Sequence, residues 1–335
     1  MKKLALSVAT TLTLATGAVH AFDIVGSSTV YPFATVVAET VSKKGGVAPK
    51  IESTGTGGGM KLFCAGAGAD TPSITDASRR IKQNELEGCQ ANGVTPVEIK
   101  VGYDGIAIAN AKSGPDFNLT PQELFLALAK EVPADDGRLV ANPYRNWKDI
   151  NAELPDENIE VLGPPPTSGT RDAFVELVMD KGCEAFDSIK NAGPDEVKRI
   201  CNTLREDGAF IEAGENDNLI VQKLEANPKA LGIFGFSFLE QNSDKVKGAS
   251  INGQAITFEN IASGAYPVSR PLYIYVKKEH VGKVDGIEVF VNEFTSDTAW
   301  GDEGYLTDKG MIPMPADERQ QFADDAKAMK GLSSL

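Results

Sequence analysis

The chain has 335 residues, 41% of them hydrophobic, and a formal net charge of −14. Nucleic acids and anionic membranes repel so acidic a chain, which argues against both as partners. An anion could bind only through local groups, such as oriented backbone N–H groups and individual arginines.

Residues 1–21 have the pattern of a secretory signal peptide. Lys2 and Lys3 precede a mostly apolar run that ends near Val19, and Ala21 suits the cleavage position. The run is too short and too rich in Thr and Ala for a membrane span, and no later stretch reaches that length. We therefore expect a periplasmic protein with no stable membrane insertion.

The four cysteines lie after this segment, and their spacings are not those of zinc sites. In an oxidising compartment the simplest pairing is two local disulfides, Cys64–Cys89 and Cys183–Cys201. Free buried thiols are the alternative.

Three polar stretches near the N-terminus each lead into a predicted helix. Residues 22–25 form a predicted strand, followed by Gly26-Ser27-Ser28-Thr29 and a helix with an apolar face. A second predicted strand at 50–53 leads through the glycine-rich stretch 54–59 into a helix expected at 60–64. The third stretch, 73–80, includes Ser78 and two arginines and precedes a helix predicted at 81–89.

The glycine-rich stretch does not match a nucleotide site. It lacks the Gly–Lys–Ser/Thr ending of a P-loop, and Met60 stands where the dinucleotide pattern requires its last glycine. Taken singly, each polar stretch is also explained by a helix start at the surface that binds no ligand.

The apolar run at 97–109 is predicted to be a strand that leaves one domain and enters another. Thr120-Pro121-Gln122-Glu123 is a capping box, which predicts a helix as far as Lys130. Residues 134–157 are interpreted as loop and short turns. The remaining predictions are strands at 159–162, 230–239 and 271–276, and helices at 219–224, 287–294 and 317–330.

The most informative stretch is 164–174, which joins the strand at 159–162 to a helix. Ser168 and Thr170 are good N-cap residues, and Gly169 lets a ligand approach the backbone. A helix that starts here presents free N–H groups and a positive dipole end, and Arg171 adds a charged donor. A well-capped surface helix is the alternative.

Strands and helices alternate along the chain, which predicts an α/β fold with mainly parallel strands. Ligands of such folds bind outside the carboxyl ends of strands, where the strand-to-helix turns lie. The polar stretches occupy turns of this kind, so together they favour an anion site.

Taken in order, these stretches resemble the periplasmic phosphate-binding proteins, the PstS-type receptors of phosphate ABC importers, which are type II periplasmic binding proteins. The resemblance spans almost the whole chain after residue 21. The stretches that carry it lie at 26–32, 54–61, 76–80, 167–170, 215–218 and 269–276.

The resemblance implies two α/β lobes with the anion clamped between them. One lobe would comprise 22–105 and 268–335, and the other 106–267. Hydroxyls, backbone N–H groups and arginines would hold the phosphate. Carried over by position, the binding residues are Ser28, Thr29, Val30, Thr56, Ser78, Arg79, Ser168, Gly169, Thr170, Arg171 and Asp217.

Two departures concern charge. Some members carry an aspartate, the acceptor of the phosphate proton, where Arg79 stands, and an arginine where Pro164 stands. Arg79 and Arg171 are expected to supply the positive charge here. The proton acceptor stays open among Asp76, Asp172 and Asp217.

The implied function is capture of inorganic phosphate and its delivery to the permease of an ABC importer, by a monomer without a cofactor. A receptor for another tetrahedral oxyanion, such as sulfate, is the alternative in the same class. A secreted phosphate-ester hydrolase is disfavoured, because the histidines are only His20 and His280 and no Gly-x-Ser-x-Gly elbow is present. We therefore expect no enzyme.

Overall fold

The structure is a computed structural model that describes residues 22–166, 168–214 and 217–335, without the side chain of Asp217. The predicted signal segment, residues 1–21, lies outside these residues. Among the described residues, no helix combines the length and apolar character needed to cross a bilayer.

Residues 22–105 and 268–335 form what we call the first half of the molecule. Its strands are β1 (Asp23–Gly26), β2 (Lys50–Ser53), β3 (Ile74–Ala77), the first part of β4 (Pro96–Ala111), and β13 (Ser269–Lys277). Its helices are α1 (Tyr31–Lys43), α2 (Thr56–Phe63), α3 (Gln83–Ala91), α13 (Ile287–Phe294), α14 (Asp297–Trp300) and α15 (Ala316–Lys327), with a 3-10 turn at Lys278–His280. Strand β1 pairs in parallel with β2 and β3, and β13 lies antiparallel between β3 and β4.

Residues 106–267 form the second half. Its strands are β5 (Asn118–Leu119), β6 (Glu131–Pro133), β7 (Leu139–Ala141), β8 (Val161–Gly163), β9 (Phe210–Glu212), β10 (Leu231–Gly235), β11 (Val246–Gly248) and β12 (Ser250–Ile251). Its helices are α4 (Pro121–Leu128), α5 (Trp147–Ile150), α6 (Gly169–Phe174), a π-helical turn (Val175–Met179), α7 (Asp180–Cys183), α8 (Asp187–Lys190), α9 (Pro194–Asn202), α10 (Asp217–Ala226), α11 (Phe236–Gln241) and α12 (Phe258–Ala262). Strand β8 pairs in parallel with β9 and β10.

Strand β4 belongs to both halves and joins them. It pairs with β13 as far as Gly105 and with β10 from Ile106 onward. The returning chain runs beside it, because the N–H of Ile106 donates to the carbonyl of Val268 at 2.9 Å. Two adjacent crossings therefore connect the halves.

These pairings confirm the predicted α/β class. The parallel strands β1, β2 and β3 end in turns that lead into the helices α1, α2 and α3, as the sequence predicts. The antiparallel pairs in the main sheet involve the crossing strand β4 or its neighbour β13. The helix predicted after residue 29 is α1, and it buries the apolar face that its periodicity indicated, including Phe33, Val37 and Val41.

The predicted capping box is confirmed. The hydroxyl of Thr120 accepts the N–H of Glu123 at 3.1 Å, and the Glu123 carboxylate accepts the N–H of Thr120 at 2.8 Å. Helix α4 nevertheless ends at Leu128, because the N–H of Lys130 donates to the carbonyl of Thr203.

Three further predictions differ from the structure. Helix α2 begins at Thr56 instead of Met60, because the glycines after Gly55 adopt helical geometry. The predicted strand at 230–239 ends at Gly235 and continues as α11; both parts are buried, and an apolar run alone does not separate a buried strand from a buried helix. The predicted loop at 134–157 contains β7 and α5.

The expected disulfides are present. Cys64 bonds to Cys89 and Cys183 to Cys201, and the described part of the chain contains no free cysteine. The first disulfide joins α2 to α3, and the second joins α7 to α9. Helix α7 continues the helical segment that begins with α6, so each disulfide fixes a helical segment that starts at one of the polar turns.

The packing of α2 on β1 generates the first prediction. A Cβ added at Gly59 would lie 2.5 Å from the Cα of Gly26 and 2.6 Å from the hydroxyl of Thr75. We expect Gly59→Ala to lower the free energy of unfolding by about 1–3 kcal/mol, because the helix must move off the strand.

Gly57→Ala in the same helix is the matched control. A Cβ there meets nothing within 4 Å, so this change should be neutral or stabilise by up to about 1 kcal/mol. Urea unfolding of both variants provides the measurement. Equal stability of the two variants would contradict the close approach.

Candidate anion-binding site

The first polar turn lies between β1 and α1 and is closely packed. Ser27 is 2% and Thr29 7% exposed, and the Ser27 hydroxyl accepts the N–H of Thr29 at 3.2 Å. Helix α1 has Val30 at its N-cap, with no side-chain hydrogen bond to cap it. The positive end of this helix is thus left without a side-chain acceptor of its own.

The second and third polar stretches meet each other. The hydroxyl of Thr56 accepts the N–H of Ser78 at 3.1 Å and lies 3.1 Å from the Ser78 hydroxyl. The order β2-β1-β3 explains the meeting, because parallel neighbours end at the same edge of the sheet. Three of the four predicted turns therefore share one edge of the first half.

Arg79 has its guanidinium fork already engaged. Its two terminal nitrogens donate to the two carboxylate oxygens of Glu85 at 2.7 and 2.8 Å. This pairing raises the pKa of Arg79, and the charge of Glu176 from the second half adds to the effect. Arg79 thus contributes positive charge near the edge of the sheet, with its bidentate donors directed at Glu85.

The stretch at 164–174 faces the first turn from the second half. Ser168 caps α6, and its hydroxyl accepts the N–H of Thr170 at 3.2 Å. A Cβ placed on Gly169 would lie 3.8 Å from the carbonyl oxygen of Ser28 and 3.9 Å from the Cα of Thr29. The two turns therefore stand against each other across the division between the halves.

A cavity of about 370 Å³ opens beside this contact. Both halves line it, and five residues matter here: Thr29, Asp104, Ser168, Gly169 and Thr170. Four of them are predicted anion-binding residues, so the structure brings together the first and the central polar turns.

Arg171 does not line that cavity. Its guanidinium lies 4.6 Å above the ring of Phe210 and donates to the carbonyl of Pro164 at 3.1 Å. It borders a separate, larger cavity of about 980 Å³. Burial lowers the pKa of Arg171, and the charges of Glu212 and Asp172 oppose that shift.

Sequence reasoning missed a buried arginine at this site. Arg270 is 5% exposed, and it donates to the Thr29 hydroxyl at 2.6 Å and to the Asp104 carboxylate at 3.3 Å. It also pairs with Glu176 of the second half. The sequence contained one signal that could have indicated this pair. A charged residue directly precedes an apolar strand segment at two places, in Asp104-Gly105 and in Arg270-Pro271.

The candidate proton acceptors lie in different places. Asp76 is 1% exposed, and its Oδ1 has no hydrogen-bond partner among the described residues, so burial raises its pKa well above the usual range. Asp172 borders the larger cavity, and the side chain of Asp217 lies outside the described residues. Asp104 lines the cavity between the halves; burial raises its pKa, and Arg270 opposes that rise.

Comparison with known proteins identifies the family. Residues 12–298 match the PBP superfamily domain. The chain is 31% identical over 299 residues to Protein SphX of Synechococcus elongatus, which covers 87% of this chain and 77% of that one. It is 30% identical over 311 residues to the Phosphate-binding protein PstS of Staphylococcus saprophyticus, covering 90% and 83%.

Two of the solved structures with a similar fold come from Planctomyces limnophilus and Borrelia burgdorferi. A possible phosphate binding protein from Planctomyces limnophilus superposes with a TM-score of 0.71 at 26% identity, covering 92% of this chain and 98% of that one. PstS from Borrelia burgdorferi has a TM-score of 0.58 at 19% identity, covering 88% and 99%, and supports the fold alone.

Proposed function

The chain belongs to the PBP superfamily, and from that premise we propose that it is a receptor that captures inorganic phosphate between its two halves. The observation that carries this proposal is the cavity where Thr29 of one half faces Ser168, Gly169 and Thr170 of the other. The relative from Staphylococcus saprophyticus, at 30% identity, is named a phosphate-binding protein. That name supports phosphate over other oxyanions as the ligand.

We assign the anion to the edge of the sheet where these turns meet. Hydroxyls and helix-start N–H groups suit an oxyanion in an acidic protein, because they act at short range and add no net charge. Of the residues expected from the sequence, we propose Ser28, Thr29, Val30, Thr56, Ser78, Arg79, Ser168, Gly169 and Thr170 as binding residues. Arg171, which borders the larger cavity, and Asp217, whose side chain lies outside the described residues, stay predictions from the sequence.

The two halves correspond, in this proposal, to two lobes that close on the ligand. Residues 22–105 with 268–335 form one lobe, and 106–267 form the other. The change of partner along β4 at Gly105 and Ile106, beside Val268, supports hinges at these crossings.

The same proposal includes the partner and the compartment. The loaded receptor, acting as a periplasmic monomer, delivers phosphate to the permease of an ABC importer. Support comes from the signal-like residues 1–21 and from two disulfides, which form in oxidising compartments. The proposal assigns no catalysis and no cofactor to the protein.

Calorimetric titration with phosphate and with sulfate tests the function. We expect one phosphate per chain, bound more tightly than sulfate. Thr170→Val should weaken phosphate binding by about ten- to a hundredfold, because a hydrogen bond to a charged group is worth about 1.5–3 kcal/mol.

Thr35→Val is the control for that variant. The Thr35 hydroxyl donates to the Tyr31 carbonyl at 2.8 Å on an exposed face of α1, so this change removes a hydroxyl that does not face the proposed site. Its affinity should equal that of the parent. Absence of phosphate binding, or tighter binding of sulfate, would refute the proposed ligand.

Two described carboxyl groups line the cavity, Asp104 and the exposed Asp308. Asp104 is our choice for the acceptor of the phosphate proton, because it is the less exposed of the two. Sulfate has no proton to give at neutral pH, so a carboxylate acceptor repels it. Asp104→Asn should therefore reduce the ratio of phosphate to sulfate affinity by about tenfold or more.

Asp172→Asn, at the larger cavity, should leave this ratio unchanged. Competition titrations at pH 7 measure it for each variant. A parental ratio in Asp104→Asn, or a loss of discrimination in Asp217→Asn alone, would assign the acceptor elsewhere.

A further inference from the structure

A carboxylate that borders the larger cavity contacts an arginine of the first half, and that arginine bonds to two residues that line the smaller cavity. Glu176 lies in the π-helical turn that follows α6, and its Oε2 accepts a hydrogen bond from Nη1 of Arg270. The charge of the same carboxylate raises the pKa of Arg79. Glu176 therefore lies within electrostatic range of two arginines of the first half.

Arg270 is buried and has several hydrogen-bond partners, whereas Glu176 is half-exposed and, in the described part of the chain, has one. The side chain of Arg270 is 6% exposed and that of Glu176 is 55% exposed. Besides Glu176, Arg270 bonds to Thr29 and to Asp104, and these two contacts do not involve Glu176. Within the described residues the Glu176 carboxylate has no other hydrogen bond, so it can turn into solvent without leaving a buried group unpaired.

The charges around Arg270 do not balance. Asp104 already neutralises the guanidinium, and Glu176 adds a second negative charge. Stability of the pair does not require the second carboxylate, since a half-exposed ion pair contributes little. In an anion site, that carboxylate occupies a donor and repels the ligand.

We propose that Arg270 is a charged donor of the anion site and that Glu176 is a built-in competitor for it. An oxygen of the bound oxyanion takes the place of the Glu176 carboxylate on Nη1 of Arg270, and that carboxylate turns to solvent. Glu176 thereby lowers the affinity of the site. This inference rests on the proposed function and adds a ligand-binding residue that the turns alone do not supply.

Titration of phosphate into Glu176→Gln tests the inference. We expect binding about two- to fivefold tighter than in the parent, the range typical of a half-exposed ion pair. Arg270→Lys keeps the charge but loses the fork, and it should bind phosphate more weakly than the parent.

Glu184→Gln is the matched control. Glu184 ends the same helical segment, is 59% exposed and pairs with Lys181, so this variant removes an equal charge away from Arg270. Its affinity should remain that of the parent. Thermal melting of each variant verifies the fold.

The outcomes separate the two proposals. If the parent does not bind phosphate, the proposed function fails and this inference fails with it. If the parent binds phosphate and Glu176→Gln binds it equally or more weakly, the proposed function stands and the role of Glu176 as a competitor is refuted. The pair of Glu176 and Arg270 would then be neutral for binding, or it would hold the halves together. Equal tightening in Glu184→Gln would also refute it, since overall charge would be the cause.

Discussion

The contacts of Arg270 are the constraint on which the charged part of the anion site depends. This buried cation lies on β13, bonds to Asp104 on β4, and reaches the first polar turn through the Thr29 hydroxyl. Removing one partner of a buried ion pair is costly, because the remaining charge is left uncompensated. The crossing strands and the anion turn are thus tied together by the same side chain, which also contacts Glu176 of the second half.

An acidic protein can bind an anion only where local groups outweigh its overall field. The net charge of −14 repels phosphate at long range. Helix-start N–H groups and hydroxyls act at short range, and they lie on turns at the carboxyl ends of strands. The fold supplies that placement: β2, β1 and β3 end at one edge, and the stretch from Ser168 to Thr170 meets it from the other half.

Much of the fold could be predicted from local patterns, whereas the charged centre of the site could not. The apolar period of α1, the Thr120 capping box and the cysteine pairs are short-range signals, and all three are confirmed. Arg270 and Asp104 are 166 residues apart and meet only through strand pairing. The pairing of Arg79 with Glu85 is different, because the two residues are only six positions apart. This short-range contact at the start of α3 could have been predicted from the sequence and was missed.

Crystal structures grown with and without phosphate test the central claim most directly. The account predicts one phosphate in the cavity between Thr29 and Ser168–Thr170, contacted by both halves, with the halves closer together than in the phosphate-free crystal. Phosphate bound by one half alone, or in the larger cavity beside Arg171, would contradict it.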